Sequence, residues 1–333
     1  MGKLMSPELN NPMNLGTIEV ELEKARTAYR NWGRWGQDDV IGTLNFITPE
    51  KVAHATTLSK RGAIFSLSQP FSGDGPQSGW RGRVNPVHLM RDTGTDAAAD
   101  TQGFPHGLGG ADDSVFMPLQ CSTQWDGLGH IFDNKKAWNG RDCTIVDGAG
   151  DHVTGIETAA EKFVSRGVLL DVGRAIGENG ELAIGHPITE ADLEKTIELQ
   201  GASSKIEPGD IVLVRTGQYG KVLRAGTWGD YAGGDAPGMS FSSLGWLHRN
   251  EIAALATDTW GVEVRPAEFT QPCFAPFHQI AIPNMGLFLG EMFNLEALAA
   301  DCHQDKNYEF LFIAPAISFN GAVGAPVHPI AIK

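Results

Sequence analysis

The stretch GVLLDVGRAIGENGELAIGHPITEADLEKTIELQGASSKIEPGDIVLVRTG, residues 167–217, decides how the rest of the chain is read. Its two ends, 167–173 and 210–217, are short apolar runs rich in Val, Leu and Ile, bounded by turn residues. Runs of this kind read as strands buried on both faces. Between them Thr189 stands as N-cap ahead of a helix over 190–200, which Gly201 stops. Glu207-Pro208-Gly209-Asp210 is a tight turn feeding the second strand.

Working outward, the alternation continues. Toward the C-terminus the pattern predicts a helix over 243–250, a strand over 251–259, a short helix over 294–302 and a last strand over 310–319. Toward the N-terminus it predicts a strand over 62–71 closed by proline. Before that comes a helix from Pro49 to about Lys60 with Thr48 as its cap, and a charged helical piece over 19–31. Alternating strands and helices argue an α/β fold. Residues 72–110 are polar, glycine-rich and irregular; a loop of that length is expected to be functional or mobile. No composition break serves as a linker, so residues 1–333 read as a single domain.

Composition narrows the function. Of 333 residues, 41% are hydrophobic and 20% charged, enough apolar material for a core and too little charge for disorder. The net charge of -14 disfavours nucleic acid and anionic membranes as partners. The N-terminus lacks the apolar region of a signal peptide, and no apolar run is long enough to span a bilayer, so a cytoplasmic protein is expected. Cys121, Cys143, Cys273 and Cys302 form no C-x-x-C pair, and Cys121 has no His in evident spacing to make it a nucleophile. There is no G-x-S-x-G, no H-E-x-x-H and no Walker A motif.

The densest polar constellation is Gln120-Cys-Ser-Thr123-Gln124-Trp125-Asp126-Gly127-Leu-Gly-His130. Gln124 and Asp126 are two apart and share a face on an extended chain. Asp126 offers a hard oxygen and His130 an imidazole, with glycines between them to fold the backbone; that pair could grip a metal such as Zn²⁺, or be a polar loop with a capping Asp. A second constellation runs from His278 to Glu291 through largely apolar residues. A Glu in such a setting needs a cation or hydrogen-bond donors. Arg81 and Arg83 in the polar loop could receive a carboxylate. Trp125, Phe132 and Trp138 read as core packing before they read as a ring pocket. His106, His152 and His303 read as surface or structural histidines.

Taken in order, these residues resemble the cyclase family of metal-dependent hydrolases, which includes kynurenine formamidase, isatin hydrolase and trans-dienelactone hydrolase. The family motif H-x-G-T-H-x-D-x-P-x-H is matched at Thr123, Asp126 and His130. Gln120 and Gln124 replace two histidines, and Leu128 replaces the proline. RWGQDDVIGTLNFITPE, PGDIVLVRTG, ATDTWGVEV and GAVGAPVHPIAI extend the likeness over nearly the whole chain. The resemblance implies an α/β fold of swivelling β/β/α character and a homo-oligomer acting on a small molecule. It implies one divalent ion, Zn²⁺ first and Mn²⁺ second, on Asp126, His130 and Glu291, with Gln124 as fourth ligand or substrate hydrogen bonder. His278 would move protons, and Thr123 would steady an oxyanion. The activity implied is opening of a lactone or cyclic amide, most like trans-dienelactone hydrolase. An arylformamidase, or a metal-free binding protein on the same fold, is the alternative.

Overall fold

Val168 lies opposite Val212, and Leu170 opposite Val214, in parallel register, in a computed structural model that describes residues 16–333. The segment read for a leader, residues 1–15, lies outside the described residues. The two quoted runs are β5 (Val164–Leu170) and β6 (Ile211–Val214). They sit at the centre of a nine-stranded sheet whose other members are β1 (Ile64–Ser66), β4 (Gln124–Asp126), β7 (Ala254–Thr257), β8 (Phe288–Glu291), β9 (Glu309–Ile313), β10 (Gly324–Pro326) and β11 (Ile330–Ile332). The order is β1-β11-β9-β5-β6-β7-β8-β4-β10. β5, β6, β7 and β8 run parallel, and antiparallel strands complete both flanks. The mixed α/β architecture expected from the alternation is therefore present. The main hydrophobic core draws on residues from Ile18 to Ala331, and a smaller cluster gathers Tyr219, Tyr231, Trp260 and Met292.

The helices begin where their capping residues stand. Thr48 accepts from Lys51 N ahead of α2 (Pro49–Thr56), and Thr189 with Asp192 closes a capping box on α3 (Glu190–Gln200). α1 (Ile18–Tyr29), α4 (Gln218–Ala225), α5 (Leu244–Arg249), α6 (Pro276–Ile280) and α7 (Glu296–Asp305) complete the set used below. α2 ends four residues before Lys60, because the Thr56 and Thr57 hydroxyls bond back to the carbonyls of Ala53 and His54. β9 stops at Ile313 instead of reaching 319, since Pro315 has no donor for the ladder.

Residues 72–110 are not wholly irregular. β2 (Val87–Asp92) pairs with β3 (Asp112–Phe116) as an antiparallel arm, and every residue of β2 is exposed. Strands that bury neither face carry no alternation for a sequence reading to detect. No helix among the described residues is long and apolar enough to cross a membrane.

A candidate metal centre under an aromatic cavity

β4 brings the site together. Because β4 runs antiparallel to β8, Gln124 lies opposite Glu291 and Asp126 opposite Leu289. Strand alternation puts Gln124, Asp126 and Glu291 on one face. Trp125 goes to the other, stacked on Phe163 at 4.7 Å and fully buried. Gln124 Nε2 donates to Asp126 Oδ1 (3.1 Å) and to Glu291 Oε2 (2.9 Å), so one amide clips the two carboxylates together.

After β4 the chain doubles back through the glycines. A Cβ on Gly127 would lie 2.9 Å from Val323 O, and one on Gly129 would overlap Asp151 Oδ2. This turn returns His130 Nε2 to 3.8 Å from Asp126 Oδ1, on the cavity wall.

His278 arrives from another direction. It sits on α6, which continues into one π-helical turn, Ala281–Met285. Its Nε2 lies 3.3 Å from Glu291 Oε1 and 3.9 Å from Asp126 Oδ2. Its Nδ1 bonds Glu263, whose carboxylate also accepts from the backbone N–H of Phe277 (3.0 Å) and of His278 (3.3 Å). Burial works against a charged imidazole here, but the bonds to Glu263 and Glu291 outweigh it and raise the His278 pKa to about 10. Burial, with the Glu291 charge beside it, pushes the Asp126 carboxyl above its ordinary range, against the pull of His130, His278 and Arg83.

Asp126, His278 and Glu291 are thus three buried residues whose ligand atoms lie within 4.8 Å of one another. Among the described residues no Lys or Arg comes within 4 Å of either carboxylate. Two buried carboxylates and an imidazole converging without a basic partner suit a divalent cation. His130 stands beside that trio, with its Nε2 3.8 Å from Asp126 Oδ1. Thr123 also has a different part. It is fully buried, and its hydroxyl donates to Met292 O (2.6 Å) and accepts from Gln69 N (2.8 Å). That hydroxyl anchors the entry to β4 and does not line the cavity.

The cavity above the trio measures about 760 Å³. Arg81 and Arg83, in the polar loop where they could receive a carboxylate, line it; Trp125, Phe132 and Trp138 do not, and neither do His106, His152 or His303. Its aromatic wall is Trp80, Trp260 and Phe274, with Trp80 edge-on to Trp260 at 5.7 Å. Cys121 is buried, its thiol pushed up to about 11 by burial, which leaves it inert. Sequence reasoning missed Glu263, Trp260 and Arg265. All three follow β7, at the carboxyl end of a central parallel strand, where α/β sheets place ligands.

Comparison with known proteins identifies the family. A family model described as "Putative cyclase" matches residues 65–264. A crystal structure of a novel cyclase is 37% identical over 92% of this chain and 99% of its own, with a TM-score of 0.82. Isatin hydrolase A from Ralstonia solanacearum is 18% identical over 85% of this chain and 97% of its own (TM-score 0.60). A structure titled as a potential metal-dependent hydrolase with cyclase activity is 13% identical over 81% and 98% (TM-score 0.50). No curated protein matches. With three fifths of its length covered by the family model and a 37% identical relative over nearly all of it, the chain belongs to the putative cyclase family.

Proposed function

We propose that the protein is a metal-dependent hydrolase that opens a small cyclic ester or cyclic amide. One observation carries this reading: Asp126, His278 and Glu291 converge at the wall of a cavity large enough for a small ring compound. Those three residues would hold the ion. Zn²⁺ suits the mixed set, and two oxygen ligands also admit Mn²⁺. A bound divalent ion supplies Lewis acidity and lowers the pKa of water toward neutrality.

The chain's own residues do the rest. Glu263 fixes the ring of His278 from the Nδ1 side and so leaves Nε2 facing the carboxylates. Gln124 keeps Asp126 and Glu291 converged by donating to an oxygen of each, in a position where two-metal relatives carry a histidine. That substitution favours one ion per chain. His130, on the cavity wall beside Asp126, is placed to accept a proton and return it to the leaving group. Gln120 also lines the cavity and offers an amide to a substrate carbonyl.

A cyclic substrate is supported by the isatin hydrolases that share the fold, and a lactone by the likeness to trans-dienelactone hydrolase described above. The test is metal analysis of the purified protein, with hydrolysis of dihydrocoumarin, isatin and N-formylkynurenine assayed with and without chelator. We expect about one divalent ion per chain and chelator-sensitive ring opening. Turnover of N-formylkynurenine alone would move the reading to an arylformamidase. Absence of both metal and turnover would support a binding protein.

We also infer a homo-oligomer. The arm of β2 and β3 exposes Val87, Leu89 and Phe116 on one face, an apolar surface that a second copy would cover. Light scattering on the eluted protein is expected to give a multiple of the chain mass; a monomer would refute this.

A further inference from the structure

Arg81, Arg83 and Arg265 line the cavity, and among the described residues none of them has a carboxylate to hold. Arg83 and Arg265 have no acidic oxygen within 4 Å among the described residues, although Asp126 and Glu291 share their cavity. They rest on the same indole instead. Arg83 Cζ lies 5.6 Å and Arg265 Cζ 4.9 Å from the Trp260 ring centre, and Arg83 also lies 5.5 Å from that of Trp80. Cation–π contact steadies a guanidinium but leaves its N–H donors unused. Arg265 shows this directly. Its Nε donates to Gly234 O at 2.8 Å, while its Nη2 is buried with no hydrogen-bond partner. A buried donor on a charged group is seldom left unpaired, because the lost hydration is not replaced.

We propose that Arg83 and Arg265 bind the carboxylate of a flat-ringed, anionic substrate. The inference rests on reading this cavity as the substrate site, and it names the class of ring the hydrolase takes: one that carries an acid group. Guanidinium and carboxylate match as paired hydrogen-bonding forks, and the pair is strong where water is excluded. Trp80 and Phe274, tilted against each other at 5.7 Å, supply an aromatic wall for the ring.

The alternative is that the two arginines only balance the carboxylates below them. Charge counting argues against it. Three guanidiniums face four carboxylates around the cavity, Asp235 at the rim included. A dication among Asp126, His278 and Glu291 offsets the acid excess and leaves the upper cavity cationic. An anionic ligand restores neutrality; a neutral ring does not.

The test is calorimetric titration of the metal-loaded protein with benzoate and with benzamide, which differ in charge and little in shape. Wild-type protein should bind benzoate about tenfold or more tightly than benzamide. Arg83→Met and Arg265→Met should each remove most of that preference while leaving benzamide binding within about twofold, and Arg265→Lys should keep part of it. Arg83 lies on a loop outside the core, so its variant tests the idea even if Arg265→Met fails to fold. Equal affinity for the two probes in wild-type protein would overturn the proposal. So would benzoate binding that both variants retain and a chelator abolishes, since the carboxylate would then sit on the metal. Binding is read without turnover. A protein that shows this preference yet hydrolyses nothing would therefore refute the hydrolase reading and not this one.

Discussion

On the proposed ligand set, a His278→Ala protein is expected to emerge from purification without a divalent ion and with turnover reduced by about 10³-fold or more, because it would lose one of three ligands. Neither remaining carboxylate can compensate. They are already drawn together by Gln124, and removing the imidazole leaves two buried anions facing each other. His130→Ala is the paired experiment. Its ring stands 3.8 Å from Asp126 and outside the trio, so the ion should stay while turnover falls by about 10²–10⁴-fold, the usual worth of a positioned acid–base group. Glu263→Leu should fall between them, weakening metal affinity by about 10–100-fold, as loss of an outer carboxylate on a ligating histidine does. Metal content and turnover measured on the same folded sample decide all three. If His278→Ala retains the ion and His130→Ala loses it, the two histidines have the parts the sequence first suggested.

What the sequence made legible followed the reach of local rules. The strands at 167–170 and 211–214 were legible because burial on both faces leaves an unbroken apolar run. Thr48 and Thr189 were legible because capping is chemistry within four residues. Asp126 and Glu291 were legible as polar groups in apolar surroundings. Where His130 and His278 stand relative to those carboxylates was not, since that depends on a turn at Gly129 and a π-helical turn after α6. Glu263 and Arg265 lie on the segment after β7 and meet the site only through tertiary folding. Their signal was positional: charged side chains directly after the buried strand Ala254–Thr257. That the Thr123 hydroxyl bonds backbone on both sides was not legible, because Gln69 and Met292 are far from it in sequence.

Asp133 shows how the fold holds His278 in place, and Asp133→Ala should be costly in stability. Four bonds converge on this carboxylate: Arg26 Nε and Nη2, each at 2.7 Å, Gln279 Nε2 at 2.8 Å and Asn284 Nδ2 at 3.0 Å. Arg26 belongs to α1, Gln279 follows His278 on α6, and Asn284 lies in the π-helical turn. One buried side chain therefore ties the first helix to the segment that carries the site's imidazole. Removing it leaves two amides without their acceptor and a part-buried guanidinium with only Glu23, and the loss is expected to approach the low end of the range, about 3–5 kcal/mol, that breaking a buried pair from one side costs. The pH dependence has a definite sign. Burial would raise the Asp133 carboxyl, but the bonds from Arg26, Asn284 and Gln279 outweigh it and hold it below its ordinary range. A depressed carboxylate contributes its stability in full above its unfolded pKa, about 3.9, and loses it as pH falls through the lower folded value. Denaturant unfolding of wild-type and Asp133→Ala protein should therefore differ most near neutral pH and converge below about pH 4. A difference under about 1 kcal/mol at neutral pH would mean that packing around the π-helical turn, and not this carboxylate, holds α1 against α6.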